Sequence, residues 1–241
     1  MMLFDTLDAN EEMQQFEKAQ KFRKKRLKKI CKGKVWGPLD ETPHCVLHWL
    51  PISKEALFKP DVINTVEFSK FIKEMDGAVE MRNLDGVRFY STVFKESKKL
   101  FFGNVQVFHS GALEITLKLP FNEDDSGESK KIPQGVLVKS LRGVMDGFKE
   151  CISSFKIDVP IVVGISFLHV SNCRFHVDSH VGFFGPSPRS DREKIILPEA
   201  LIKNLNDMEE IEQQIFDMLW MSFGLLKCEY YENGKRRVSR G

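Results

Sequence analysis

Hydrophobic and polar residues recur along this chain with two different periods, which predicts both helices and strands. Apolar residues spaced three or four positions apart predict amphipathic helices. These helices are expected at residues 9–31, 133–155 and 208–223, with a further, partly helical segment at 61–75. The first of them carries a narrow apolar stripe, and most of its lysines fall outside that stripe.

Extended apolar runs between turn residues predict the strands. The candidates are residues 44–53, 87–94, 104–110, 112–119, 159–170, 174–180 and 194–198. A turn at 83–86 leads into the strand at 87–94, and a tight turn at 109–111 joins the next two strands. The three strands are predicted to form an antiparallel meander over 86–119. The run 159–170 is continuously apolar, which is typical of a strand buried on both faces. Together the elements predict an α+β fold, with mostly antiparallel sheet packed by helices and a basic N-terminal helix.

The composition divides the chain into three parts. Residues 1–34 are predicted as a basic amphipathic N-terminal helix, 35–225 as an α+β domain and 226–241 as a basic tail that is loose over 234–240. The acidic, apolar-poor segment near 121–132 leaves a second arrangement open, in which the α+β domain consists of two halves divided there.

Length and composition are those of an ordinary globular protein. The chain has 241 residues, of which 42% are hydrophobic and 29% charged. No apolar run approaches the roughly 20 residues that cross a bilayer, so no membrane partner is expected. The start turns acidic at once, unlike a signal peptide. Five cysteines without a C-x-x-C pair indicate reduced thiols and a cytoplasmic location. Cys31, among basic neighbours, is either a reactive thiolate or an ordinary cysteine at a helix end.

Positive charge is concentrated at the N-terminal helix. Residues 18–34 contain 10 lysines and arginines in 17 positions, although the whole chain carries only +2. This density predicts a polyanion or an acidic protein surface as partner. The alternative is an ordinary solvated helix face. On the polyanion interpretation, the side chains that contact phosphates without reading bases are Lys21, Arg23, Lys24, Lys25, Arg26, Lys28 and Lys29.

One cluster has the composition of a metal site. His176, Asp178 and His180 would project from one face of a strand, and two imidazoles with one carboxylate can hold zinc or iron. The same spacing is common on a solvated strand face, which is the competing interpretation. No cofactor is predicted.

Two other polar residues have a catalytic and a structural interpretation. Glu114 and Lys118 share a strand face, but their spacing differs from the E-x-K of metal-dependent nucleases, so a cross-strand salt bridge is the preferred interpretation. His48 beside Trp49 is interpreted as a core histidine. Glycine-rich nucleotide-binding motifs and a G-x-S-x-G elbow are absent from the sequence.

Six short motifs follow one another along the chain. The first consists of Phe22, Arg26, Ile30 and Gly33 on the basic helix, and the others are Leu47–Ser53, Asn83–Gly86, Val107–Glu114, Ile196–Glu199 and Asp217–Gly224. In this order they resemble the C-terminal portion of bacterial and archaeal proteins that carry a Schlafen-like AlbA domain, in which the basic helix has the pattern F+..R...I..G.

The resemblance implies a nucleic-acid context for the chain. The AlbA domain, where such proteins bind nucleic acid, is missing from this sequence, so no catalytic residue is implied and enzymatic activity is left open. We therefore expect a non-catalytic accessory module of a regulatory or defence system that binds DNA or RNA backbone through its basic helix. The alternatives are a protein-interaction or homo-oligomerising subunit and a metal-dependent enzyme.

Overall fold

The structure is a computed structural model of the chain. It describes residues 9–35, 39–52, 79–95, 98–123, 127, 129–155, 157, 159–176 and 189–237. For residues 91–95, 98–102, 151, 154 and 155 only the backbone is described.

Three helices of the described residues confirm three of the predicted ones. They are α1 (Ala9–Cys31), α2 (Gln134–Phe155) and α3 (Met208–Ser222). A short 3-10 turn, Leu205–Asp207, leads into α3. Gly33 (φ 62°) and Gly224 (φ 74°) follow α1 and α3 in the left-handed conformation that commonly ends a helix. The predicted segment 61–75 lies outside the described residues. None of the described helices is both long and apolar enough to cross a membrane.

Thirteen strands of the described residues form one large sheet and two small ones. Their bounds are β1 His44–Pro51, β2 Val79–Asn83, β3 Gly86–Lys95, β4 Lys98–Phe108, β5 Leu113–Lys118, β6 Asn122–Glu123, β7 Lys130–Pro133, β8 Ile161–Leu168, β9 Cys173–His176, β10 Lys194–Ile196, β11 Ala200–Ile202, β12 Tyr231–Glu232 and β13 Lys235–Arg236.

The large sheet is antiparallel throughout and has the order β10-β8-β1-β5-β4-β3-β2. Strand β11 also pairs with β8, at residues of β8 other than those that pair with β10. The predicted meander is present as β3, β4 and β5. The continuously apolar strand β8 is buried along its whole length, as predicted. The small sheets are β6-β7-β9, with a parallel β7–β9 pair, and the hairpin β12-β13. The α+β prediction is confirmed.

One face of the large sheet is apolar and carries α2 and α3. Trp49 of β1 stacks on Phe148 of α2 with ring centroids 3.8 Å apart. Phe175 of β9 stacks in the same way on Phe223, which follows α3, at 4.1 Å. These residues belong to one continuous buried cluster that includes residues from both sides of segment 121–132. Strands from both sides of that segment therefore share one sheet and one core.

The opposite face of the sheet carries α1 and is polar in its middle. Side chains alternate between the faces of a strand, so every second residue of β1 and β5 points towards α1. In register, His48 of β1 lies beside Glu114 of β5, which lies beside Gln106 of β4, which lies beside Arg88 of β3. All four side chains are buried. A row of buried polar groups thus crosses the sheet beneath α1.

Several elements differ from the sequence prediction. Strand β2 was not predicted, because its alternation of apolar and polar residues covers only four positions and its residues are mostly exposed. The C-terminal tail is not loose up to residue 237, because Tyr231 and Arg236 of the β12-β13 hairpin bind Glu212 of α3, with Arg236 Nη2 2.6 Å from Glu212 Oε2. A buried carboxylate on α3 attracts this basic residue out of solvent.

Candidate polyanion interface on helix α1

Helix α1 lies on the polar face of the sheet and buries a narrow underside. Ala19, Leu27 and Ile30 are its buried apolar residues, and they pack into two small clusters, one at each end of the contact. At about 100° per residue these three positions fall on one side of the helix. The apolar contact is small, so polar interactions must supply the middle of the interface.

Arg26 fills the middle of this interface with a buried ion pair. Its Nε and Nη2 each donate a 2.8 Å hydrogen bond to the two carboxylate oxygens of Glu114, and His48 Nε2 lies 3.1 Å from Glu114 Oε2. Glu114 and His48 are fully buried. Burial alone would raise the pKa of Glu114, but the hydrogen bonds and charge of Arg26 and His48 outweigh it and hold this pKa below its usual range. The carboxylate stays ionised inside the protein.

Arg23 forms a second anchor, at the sheet edge. Its Nη2 donates to the Ile165 carbonyl (2.7 Å) and to Ser166 Oγ (2.8 Å), both on β8. Its Nη1 donates to the Leu197 carbonyl (3.0 Å) and to Glu199 Oε1 (2.6 Å). These four bonds tie α1 to β8 and to the segment between β10 and β11.

The path of Arg23 requires a glycine beneath it. A Cβ added at Gly164 of β8 would lie 2.4 Å from Arg23 Nε, far inside van der Waals contact. Gly164 lies beside His48 in the β1–β8 register. The absence of a side chain at Gly164 therefore provides the space through which the Arg23 guanidinium crosses β8.

These contacts correct the arginine part of the predicted phosphate site. Arg23 is 1% exposed and Arg26 is 7% exposed, and the protein's own acceptors occupy both guanidinium groups. Arginine presents a planar fork that matches a carboxylate, which explains why these two side chains are buried. The signal was present in the sequence, because both arginines fall on the same side of the helix as Ala19 and Ile30.

The lysines of the predicted site lie on the opposite side of α1. The exposed members are Lys21, Lys24, Lys25, Lys28 and Lys29. Lys21 forms an exposed ion pair with Glu17 at 3.5 Å. Within the part of the chain that the structure describes, the other four have no carboxylate within ion-pair distance. Lys28 and Lys29 occupy the last turn of the helix, where the helix dipole favours positive charge.

A groove of about 760 Å³ runs between one flank of α1 and the sheet edge. Lys24 and Lys28 border it on the helix side, and Lys194 borders it on β10. Its lining includes the apolar side chains of Leu27 and Ile196. Lysines therefore lie on both sides of the groove, on α1 and on the edge strand β10.

The predicted metal cluster is described only in part. His176 is exposed at the end of β9, while Asp178 and His180 lie outside the described residues. Among the residues that are described, no group of three or more His, Cys, Asp or Glu side chains could hold a metal ion. The metal interpretation stays a prediction.

The other predicted polar residues have structural partners. Glu114 pairs with His48 on the neighbouring strand and with Arg26, while Lys118 Nζ lies 2.9 Å from Asp40 Oδ2. The preferred interpretation of Glu114 as a salt-bridge residue and of His48 as a core histidine is confirmed. Cys31 is exposed and lines the groove.

Sequence reasoning missed the polar row beneath α1. The signal was the even spacing of polar residues within the strands. His44 and His48 of β1 are four positions apart, and Glu114 and Thr116 of β5 are two positions apart. Two such strands side by side predict one polar face, and a buried polar face needs a charged partner above it.

Comparison of the chain with protein-family models, with curated proteins and with solved structures finds no match. The resemblance to the C-terminal portion of Schlafen-like AlbA proteins therefore stays a prediction from the six motifs.

Proposed function

We propose that this chain is a non-catalytic accessory module that binds the phosphate backbone of DNA or RNA through the lysine surface of α1. The lysine surface consists of Lys21, Lys24, Lys25, Lys28 and Lys29. The observation that carries the proposal is that four of these side chains are exposed with no described carboxylate beside them. Such a charge concentration attracts a polyanion and releases its counterions.

The dimensions of the lysine surface suit a duplex. From Lys21 to Lys29 the helix rises about 12 Å, a length over which duplex DNA carries about seven phosphates. The buried arginines hold α1 against the sheet, so the lysines are presented on an ordered support. Lysine is a flexible point charge and reads no base pattern, so we expect binding without sequence preference.

A regulatory or defence role, and a cytoplasmic location, belong to the same proposal. They rest on the family resemblance and on the cysteine pattern. The lysine surface supports the binding activity independently of both.

Fluorescence anisotropy of labelled DNA and RNA against the intact chain tests the proposal. With five phosphate contacts, the association constant for duplex DNA should fall with salt with a logarithmic slope of about −4.5, a loss of about 500-fold between roughly 50 and 200 mM. Deleting residues 1–34 is unsuitable as a control, because Arg26 would leave with them and Glu114 would stay buried without its partner.

A triple variant with a matched control makes the test specific. Lys21→Gln, Lys25→Gln and Lys29→Gln together should reduce the slope to about −1.8. Replacing three exposed lysines on other elements by Gln gives the same change in net charge and should leave the slope unchanged; these are Lys139, Lys149 and Lys227. No binding at low salt, or equal losses in both triple variants, would refute the lysine surface as the binding site.

A further inference from the structure

Strand β10 is an edge of the large sheet with one side unpaired by any described strand. It pairs with β8 only, and Leu197, just after it, donates its N–H to the Ile165 carbonyl of β8 at 3.1 Å. In an antiparallel pair, alternate residues direct their N–H and C=O groups to opposite sides. The main-chain groups of Lys194 and Ile196 therefore point away from β8, where an added strand would pair with them.

The side chains of the same two residues line the groove beside α1. Ile196 is 53% exposed, and together with Leu27 of α1 and Leu168 of β8 it gives the groove an aliphatic lining. Exposed aliphatic surface next to an open strand edge is the arrangement that recognises extended peptides, in which main-chain bonds give affinity and side-chain pockets give specificity.

The rim of the groove is cationic. The lysines that line it are Lys24, Lys28, Lys32 and Lys194. Among the described residues that line the groove, Glu199 is the one carboxylate, and it already accepts hydrogen bonds from Arg23 and Gln20. The rim is therefore complementary to a ligand that carries carboxylates or phosphates.

We propose that the groove binds an extended, acidic segment of a partner protein, which adds to β10 as a further strand. Its aliphatic side chains would contact Ile196, and its carboxylates would contact the rim lysines. A peptide is favoured over single-stranded nucleic acid because the described lining residues include no aromatic ring on which bases could stack. The open strand edge, in contrast, supplies main-chain groups that a peptide can pair.

This site is separable from the phosphate-binding surface. Lys21, Lys25 and Lys29 are not among the residues that line the groove, and Ile196 is not part of the lysine surface. Lys24 and Lys28 are common to both. Peptide binding can therefore hold if nucleic-acid binding fails, and the reverse is also true.

The probe is a labelled peptide that repeats the sequence Glu-Thr-Val-Thr. We expect the intact chain to bind it in an anisotropy titration. Three altered peptides should bind at least about tenfold more weakly. In the first, Lys replaces Glu; in the second, Ser replaces Val; in the third, the backbone nitrogens are methylated so that they cannot donate to a strand edge.

Variants of the protein place the peptide in the groove. Ile196→Asp should weaken binding at least about tenfold, because it removes aliphatic surface and adds a repelling charge. The matched control is Met221→Asp on α3, a side chain of similar exposure (54%), which should bind as the unaltered chain does. Both variants are compared after circular dichroism shows that they remain folded.

Cys31 supplies an independent readout. It is exposed and lines the groove, whereas Cys45, Cys173 and Cys228 are buried. Bound peptide should therefore slow the alkylation of Cys31, measured by mass spectrometry, while Ile196→Asp should abolish that protection.

Three results would overturn the proposal. The first is no binding of the acidic peptide by the intact chain. The second is equal binding of the methylated peptide, since strand addition would then play no part. The third is a pair of observations: Ile196→Asp no longer binds the oligonucleotide, and the oligonucleotide displaces the peptide from the triple variant of Lys21, Lys25 and Lys29. Together these would make the groove a nucleic-acid site.

Discussion

The two sides of α1 carry the same sign of charge and use it differently. Within residues 18–34 both arginines are buried against the sheet, and all eight lysines are exposed. The arginines face a carboxylate each, at 2.6 Å for Arg23 and 2.8 Å for Arg26. The net charge of a sequence segment therefore differs from the charge that it exposes to solvent. A guanidinium group can exchange its hydration for hydrogen bonds to buried carboxylates and carbonyls, whereas a lysine ammonium group rarely does so.

The comparison also separates folding from binding. The underside of α1 neutralises the polar face of the sheet, so its substitution should change stability. The lysine side touches little of the protein, so its substitution should change ligand binding and leave stability nearly unchanged. The four predictions below test this division, beginning with the largest expected effect on the free energy of unfolding.

Replacing Arg26 by Met should lower the free energy of unfolding by about 3–5 kcal/mol, because it leaves the fully buried Glu114 carboxylate without its main partner. Urea denaturation measures the loss. The neighbouring exposed substitution Lys25→Met is the control and should stay within about 0.5 kcal/mol of the unaltered chain. Combining Arg26→Met with Glu114→Gln should recover a large part of the loss. A single variant as stable as the original chain would contradict the role of this ion pair.

Acid should destabilise the chain through His44 of β1, a buried histidine on the polar face of the sheet. Burial lowers the pKa of this histidine from 6.5 to about 4, in spite of its hydrogen bond to the Thr42 carbonyl and the charge of Asp40. The unfolded chain takes up the proton from about pH 6.5 and the folded chain resists until about pH 4, so stability falls as the pH is lowered through this window. The pKa gap corresponds to about 3 kcal/mol.

The histidine contribution is isolated by a variant. Unfolding free energies of the unaltered chain and of His44→Asn, measured between pH 7 and 4, should differ in slope, with the variant falling less steeply. Parallel curves would show that His44 takes up its proton equally well in both states.

Gly164→Ala should lower stability by about 1–3 kcal/mol, because the new methyl group would meet Arg23 Nε at 2.4 Å and four hydrogen bonds fix that side chain. The control is Gly143→Ala on α2, where a Cβ meets nothing within 4 Å. That change should stabilise the chain by up to about 1 kcal/mol through helix propensity. Thermal unfolding compares the two variants, and a neutral Gly164→Ala would mean that Arg23 can move aside at little cost.

The triple replacement of Lys21, Lys25 and Lys29 by Gln should have the smallest effect on stability, within about 0.5 kcal/mol of the unaltered chain or slightly above it. These lysines are spaced four residues apart, where like charges repel, and glutamine is also a good helix former. Urea denaturation measures the change. A loss of about 2 kcal/mol or more would show that the lysine side packs against the protein after all.

Much of the fold was predictable because its signals are local. The helices α1, α2 and α3, the buried strand β8 and the meander each follow from the spacing of apolar residues within one segment. Strands β6 and β7 were not predictable because they are short, and the pairing of β7 with the predicted strand β9 joins residues about forty positions apart. Strand β2 escaped prediction because it is short and mostly exposed, although its residues alternate apolar and polar.

The sequence was sufficient to predict that α1 is the cationic element, but not which of its cations are buried and which are exposed. Charge density identified α1, and the apolar stripe identified its underside. Which cations turn inward depends on Glu114, 88 positions away from Arg26, and on Glu199, 176 positions away from Arg23. Only the folded sheet brings these carboxylates beneath the helix. The groove beside β10 has the same origin, since its two walls come from opposite ends of the chain.

Chemical footprinting of lysines and arginines in the intact chain, with and without saturating duplex DNA at low salt, tests the division of α1 most directly. In the free protein, Arg23 and Arg26 should resist phenylglyoxal, while Lys21, Lys25 and Lys29 should react fully with an acylating reagent. With DNA, these lysines should become protected, and the remote lysines of α2 should not. Reactive arginines in the free protein, or lysines of α1 that stay reactive with DNA bound, would contradict the account.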